Sequence, residues 1–306
     1  MSNLSMKQKG VIGLVGYLAI FIILLLVAGS SGKNDAFQPQ NEFKLDPWIA
    51  INIAGLDISI TKAVFYLLLA SVLTIITMTY IARRMSTDKP NKVQMAVEVT
   101  YDMARNNIAG NNMDSKMATK WFPFLATLFF FLWFSNMIGF LPLPVNTEHK
   151  IDVFGLQLPS FAIYAATANL SVPLVLTLIV WISYHFEGIR KKGLFKYLAS
   201  WLPAGLDDMN PAAKTFIFII EAISQFARLI SLSVRLFANI LAGHLLLLFM
   251  GGGLAVLLGV AALAALTFPL AFFFFILEVG LIATLQAFIF TTLTAIYLGG
   301  ATADSH

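Results

Sequence analysis

Residues that carry or hold protons stand inside stretches otherwise apolar enough to sit in lipid. The run Ser231–Phe249, SLSVRLFANILAGHLLLLF, contains Arg235, Asn239 and His244. Glu221 and Arg228 precede it, and Glu278 and Gln286 follow in a later apolar run. A charged side chain near the bilayer centre costs at least about 2.5–3.5 kcal/mol on insertion scales, so each of these residues is either paired inside the protein or part of a transport path. Histidine and glutamate are suited to relaying protons, because burial and pairing can bring either pKa toward neutral. Arginine keeps its proton and cannot relay one. It attracts a passing carboxylate, favours the ionised form and blocks a direct leak. A fixed cation between two sets of titratable groups implies two half-channels that do not connect directly.

The spacing places these groups around their helices. At about 100° per residue, Arg228 lies within roughly 20° of Arg235, and Glu221 and Asn239 each within roughly 40°, forming one polar stripe. His244 points roughly 180° away from Arg235, and Glu278 and Gln286 lie about 80° apart. An antiparallel hairpin brings His244 near Glu278. The plainer alternatives are that Arg235 pairs with Glu221 or Glu278 for structure alone, and that His244 is a packing group.

The elements that must carry these residues are membrane helices. Of 306 residues, 58% are hydrophobic and 12% charged, and mean hydropathy is +0.81. A soluble domain carries about a quarter charged residues, and several runs here reach the roughly 20 apolar residues that span a bilayer. The composition predicts an all-α polytopic membrane protein with five or six membrane helices, and the alternating pattern of a membrane β-barrel is absent. The net charge of +4 sits in short loops, where it sets topology, so no nucleic-acid partner is expected. The absence of cysteine removes thiol catalysis and Cys-ligated metals.

The chain divides into an N-terminal hydrophobic segment, 1–32, and one membrane-embedded domain, 33–306. Gly10–Ala28 reads as a retained anchor or as a signal-like segment ending at Gly29–Gly32; we favour the anchor. Lys33–Ile60 reads as an extramembrane loop, Ala63–Ala82 as a second span, and Asn91–Asn107 as an amphipathic surface helix. Phe122–Leu143 and Phe161–Tyr184 are the third and fourth spans, separated by a polar loop at Asn146–Pro159. Asn136 and Asn169 lie in these spans, where a lone asparagine is as often a packing hydrogen bond as a functional group. Basic clusters at Arg83-Arg84 and Arg190–Lys192 mark one, cytoplasmic, side. His185 and Glu187 do not face each other on a helix, and no metal site or cofactor is expected. Two helices of about 40 residues close the chain: Ala212–Met250 and Leu254–Leu298, joined at Gly251–Gly253 into a hairpin spanning 211–298. Such lengths require tilt, bending or protrusion.

These motifs resemble subunit a of the F-type ATP synthase, the membrane stator facing the rotating c-ring. The resemblance covers about Asp46–Leu298. It is carried by SLSVRLFANILAGH at Ser231–His244 and TLQAFIFTTLTAIYL at Thr284–Leu298, with support from NMIGFLP at Asn136–Pro142, ANLSVPLVLTL at Ala168–Leu178 and Glu221. It implies that Arg235 meets the ion-binding carboxylate of each passing c subunit. Asn239, His244 and Gln286 match the half-channel opposite the catalytic head, Glu221 matches the head-side half-channel, and His244 with Glu278 resembles the family's Glu/His pair. Arg228 matches a commonly basic position, and Ser231, Asn136 and Asn169 are supporting. The chain departs from the family in two places. Glu278 stands eight residues before Gln286 where the partner usually stands seven before, Val279 taking that place, and Gly139 stands where some members carry an acid.

The resemblance implies a proton-translocating subunit that couples proton-motive force to rotation and ATP synthesis without binding nucleotide. Its partners would be the c-ring, the peripheral stalk subunit b, the rest of the complex and the lipid bilayer, in a bacterial inner membrane or, alternatively, a mitochondrial one. A proton-coupled secondary transporter, with Arg235 binding an anion, is the rival; it should show repeats or broken helices at the midplane. A membrane-embedded enzyme would need a nucleophile–base or metal cluster, and none stands out.

Overall fold

The computed structural model describes residues 6–28, 45, 47–53, 55–84, 92–140, 151–153, 156–158, 165–202 and 210–303. The expectations for Gly29–Gly32, for the first part of the Lys33–Ile60 loop, for the end of the third span at 141–143, for the ends of the Asn146–Pro159 loop and for the start of the fourth span at 161–164 lie outside the described residues.

The chain is an all-α polytopic membrane protein. Among the described residues, five helical stretches are long and apolar enough to cross a membrane: Lys62–Arg83, Ser115–Gly139, Ser171–Lys192, Pro211–Leu258 and Ala262–Thr302. Helix α1, Met6–Ala28, adds a shorter apolar stretch at Val11–Ile23. The contacts divide the chain into two compact units.

The larger unit comprises Pro47–Leu141, Ile163–Ile240 and Ile282–His306. Within it the expected loop before the second span is partly ordered as short antiparallel pairs, Pro47–Ile49 with Ile60–Thr61 and Asn52–Ile53 with Leu56–Asp57. α2 (Lys62–Arg84) follows. The expected surface helix is α3, Lys92–Asp102, continued by a π-helical segment at Met103–Gly110. It exposes Met95 and Val99 and buries Gln94, whose amide donates to Glu98 at 2.6 Å.

α4 (Ser115–Gly139) begins earlier than the apolar run suggests, because Lys116 and Lys120 occupy its first turns. α5 (Ser171–Lys192) begins ten residues later than expected and runs past Tyr184. The cause is local. Asn169 Oδ1 accepts the backbone N–H of Ser171 at 3.0 Å, which satisfies a free donor at the helix start. Residues Ala166–Ala168 form a buried 3-10 turn instead. At the other end, Arg190, Lys191 and Lys192 fill the last turn, where cations favour the negative end of the helix dipole. A short helix, α6 (Leu194–Ala199), follows, then α7 (Pro211–Leu248), whose residues up to Ile240 belong to this unit.

The last helix of the unit, α10 (Ala283–Thr302), packs against α4 and α5, and α2 packs on α4. Lipid leaves helices no hydrophobic drive to associate, so close backbone approach through small residues matters. α10 supplies it with Ala283, Ala287, Thr291, Ala295 and Gly299 at every fourth position, the first four fully buried. Thr291, Thr294 and Thr302 donate their hydroxyls to carbonyls four residues back, so they bring no unsatisfied group into the core. Leu125, Phe129 and Leu132 of α4, with Phe290 and Leu298 of α10, fill the interior.

The smaller unit comprises Met1–Asp46, Pro142–Ala162 and Leu241–Leu281. It holds α1, a short hairpin pairing Ile151–Val153 with Leu156–Leu158, the end of α7, α8 (Leu254–Leu258) and α9 (Ala261–Leu277). α1 packs along α9, and the Tyr17 hydroxyl donates to the Leu266 carbonyl.

The helix is interrupted where Gly251–Gly253 is expected to punctuate it: Gly252 leaves the helical region with φ 138°, and two helical segments meet there at a kink. The helix ends at Gly259, left-handed at φ 72°, after which Val260 is extended. Both φ values are accessible to glycine because it has no Cβ. Gly252 therefore kinks the chain, and Gly259 caps the helix that follows.

Candidate functional site

α7 has two faces. Leu232, Leu236 and Ile240 are buried at four-residue spacing, while Ile223, Phe226, Ile230 and Val234 are exposed along the opposite stripe. Arg235 is exposed as well, about 100° around the helix from both Val234 and Leu236, with Ser231 one turn before it and Asn239 one turn after. Among the described residues Arg235 has no hydrogen bond or ion pair. The helix thus carries one exposed arginine beside its buried face.

The alternative in which Glu221 neutralises Arg235 does not hold. Glu221 Oε1 accepts from Arg228 at 3.0 Å and from Gln225 at 2.8 Å. Gln225 in turn accepts from the Tyr184 hydroxyl at 3.1 Å, and its backbone carbonyl accepts from the Trp181 indole at 3.2 Å. Arg228 lies over the Tyr297 ring, 5.6 Å from its centroid, within cation–π range. The stripe at Glu221 and Arg228 is therefore a bonded network joining α7, α5 and α10.

Asn239 donates to Gln286 Oε1 at 2.9 Å. Gln286 is buried, at 2% exposure, and this bond links α7 to α10. Its Nε2 has no partner among the described residues.

In the smaller unit, Glu278 is buried at 5% exposure. Its carboxyl group lies against the backbone of Gly243. A Cβ built on Gly243 would be 2.5 Å from Oε2 and 2.6 Å from Cδ of Glu278. Glu278 Oε2 has no hydrogen-bond partner among the described residues. His244, half-buried, follows Gly243 directly. The helix is π-helical from Glu278 to Ile282.

Asn136 and Asn169 hold the fold together. Asn136 is fully buried; its amide donates to the Ala283 carbonyl at 3.3 Å and accepts from the Thr167 hydroxyl at 2.9 Å. Asn169 caps α5 as described. Gly139 has Ala165 where a side chain would go, so the acid some family members carry there has no room.

His185 and Glu187 part company. Glu187 pairs with Lys120, whereas His185 sits among the rings of Trp181, Tyr184, Tyr197 and Trp201. Outside the spanning helices, burial raises the pKa of the Tyr197 hydroxyl, which keeps it neutral. Among the described residues, no group of three or more His, Asp or Glu side chains is arranged to hold a metal.

Sequence reasoning missed Gln225, Tyr184, Tyr297 and Gly243. Gln225 was legible, four residues after Glu221 and three before Arg228. Tyr184 and Tyr297 sit on other helices, and spacing along α7 says nothing about them. Gly243 stood in the AGH motif, but a glycine's contribution is the space it leaves, which only the neighbouring helix reveals.

A family model described as ATP synthase A chain matches residues 64–299. The chain is 33% identical over 254 residues to ATP synthase subunit a of Rubrobacter xylanophilus, covering 83% of this chain and 88% of that protein. It is 34% identical over 286 residues to ATP synthase subunit a of Hyphomonas neptunium, covering 89% and 98%. With ATP synthase subunit a of Parvibaculum lavamentivorans it shares 31% over 282 residues, covering 91% and 98%.

Proposed function

Since this chain belongs to the ATP synthase A chain family, and is a proton-translocating stator subunit of the Fo sector in a bacterial inner membrane, we propose that Arg235 is the stator cation on the face that meets the c-ring. The observation that carries the reading is an exposed arginine without a partner among the described residues, while the nearby acid Glu221 is bonded to Arg228.

Protons enter through one half-channel and pass His244 and Glu278, with Asn239 and Gln286 lining the way. They neutralise a c-ring carboxylate, which can then face lipid, because a neutral acid escapes most of the cost of burying a charge. The ring turns until the carboxylate reaches a second half-channel and releases its proton past Glu221. Arg235 stands between the two paths and favours the ionised carboxylate. It cannot pass a proton itself, so protons cross only by rotation. Residues 33–306 act as one membrane-embedded domain in this scheme, and the stalk subunit b anchors it. The chain does no nucleotide chemistry of its own; it is a non-catalytic subunit of the complex.

Cysteine cross-linking tests the assignment of the face. The chain has no cysteine of its own. Cysteines placed singly at Ser231, Val234 and Ala238 should form disulfides with a cysteine beside the ion-binding carboxylate of the c subunit. Cysteines at Leu232 and Leu236, on the buried face, should not. Cross-links only from the buried face would overturn the proposal.

A further inference from the structure

The last membrane helix changes its winding at Glu278. α9 ends at Leu277, Glu278–Ile282 is π-helical, and α10 resumes at Ala283. A π-turn holds one residue more than the α-turn it replaces, and such turns are frequent at functional sites. In an unbroken α-helix the eight residues from Glu278 to Gln286 would turn them about 80° apart. With one residue taken up by the π-turn, the count behaves as seven, and the offset falls to roughly 20°.

Within the smaller unit, the Glu278 carboxyl lies against the backbone of Gly243 on α7. Without the π-turn, Val279 would take the phase that Glu278 now has. A valine would then face the space above Gly243, and the acid would turn away from it.

We infer that the π-turn Glu278–Ile282 is a positioning device, whose extra residue directs Glu278 in place of Val279 toward the side-chain-free backbone of Gly243. The inference rests on the role proposed above for Glu278 as a proton carrier. Gly280 is the residue whose removal disturbs packing least: it is exposed, and nothing lies within 4 Å of where its Cβ would be.

The test uses the assembled complex in membrane vesicles. Gly243→Cys is combined in turn with Glu278→Cys and with Val279→Cys, and disulfide yield under mild oxidant is compared. Cα atoms more than about 7 Å apart do not bridge without backbone movement, so the pair in phase should give several-fold more product. Yield at position 278 above that at 279 supports the inference; the reverse, or no bridge at 278, overturns it.

A second arm measures ATP-driven proton pumping against pH. Deleting Gly280 leaves seven α-helical residues with the same roughly 20° offset, so pumping and its pH profile should be retained. Inserting an alanine after Gly280 should cost most of the pumping. A deletion variant that assembles but does not pump overturns the inference. Should the deletion prevent assembly, the disulfide pattern decides alone. If Glu278→Gln pumps normally, the proton-carrier role falls, whereas the disulfide pattern still decides the positioning.

Discussion

Arg228, and not Arg235, holds Glu221, through a 3.0 Å contact on the shared polar stripe of α7. Seven residues separate the two arginines, and they lie within roughly 20° of each other around the helix. One is bonded to an internal acid and lies over an aromatic ring, and the other is exposed without a partner among the described residues.

The network at Glu221 should therefore respond to its partners. Glu221→Gln removes the acid while keeping the hydrogen-bonding shape. It is expected to lower ATP-driven pumping several-fold in complexes that still assemble, as read by acidification of inverted vesicles. Gln225→Leu, which cuts the link to Tyr184 without touching the charge, should lower pumping less. Equal and complete losses in both would mean that the network acts as packing.

The Asn239–Gln286 bond should matter more for transport than for stability. Interhelical hydrogen bonds in membrane proteins average about 0.6 kcal/mol, too little to decide assembly. Asn239→Leu is expected to leave subunit levels near normal on immunoblots while pumping falls. Loss of the subunit from the membrane would show the bond to be structural.

Asn136 should behave in the opposite way. Asn136→Leu strands the Thr167 hydroxyl in a buried site, at about 1–3 kcal/mol, and removes the amide bond to the Ala283 carbonyl. Subunit abundance and thermal stability are expected to drop, with pumping per assembled complex unchanged. A normal abundance with a lost activity would return Asn136 to the transport path.

Gly139→Asp tests whether the acid found there in some family members can be restored. A Cβ at Gly139 would lie 2.8 Å from the Ala165 Cα and 3.0 Å from its backbone nitrogen, and overpacking of this kind costs about 1–3 kcal/mol. The variant should accumulate poorly. Normal accumulation with altered pH dependence of pumping would contradict the packing account.

Much of this was legible in the chain itself. Apolar run length gave the spanning helices, since lipid forces every backbone group into a helical or barrel hydrogen bond. Helical spacing placed Glu221 and Arg228 on one stripe, although the partner considered for Glu221 was Arg235 and the bond falls to Arg228. Where the reading failed, the cause was local. Composition could not tell the buried turn Ala166–Ala168 from the helix that follows it, because both are apolar. Gly251–Gly253 marked a break, which falls at Gly252, but the further stop at Gly259 was not foreseen. The eight-residue step from Glu278 to Gln286 pointed to a misplaced acid under uniform α-helical arithmetic, and one π-turn is enough to undo that arithmetic.

The central claim is that Arg235 couples rotation to proton flow, and Arg235→Ala tests it most directly. Vesicles carrying the assembled complex would be assayed for ATP-driven proton pumping and for ATP synthesis. The account predicts that both vanish while the complex remains assembled, because alanine suits the helix but leaves no cation to favour the ionised carboxylate. Coupled pumping and synthesis at near-normal rates would contradict it.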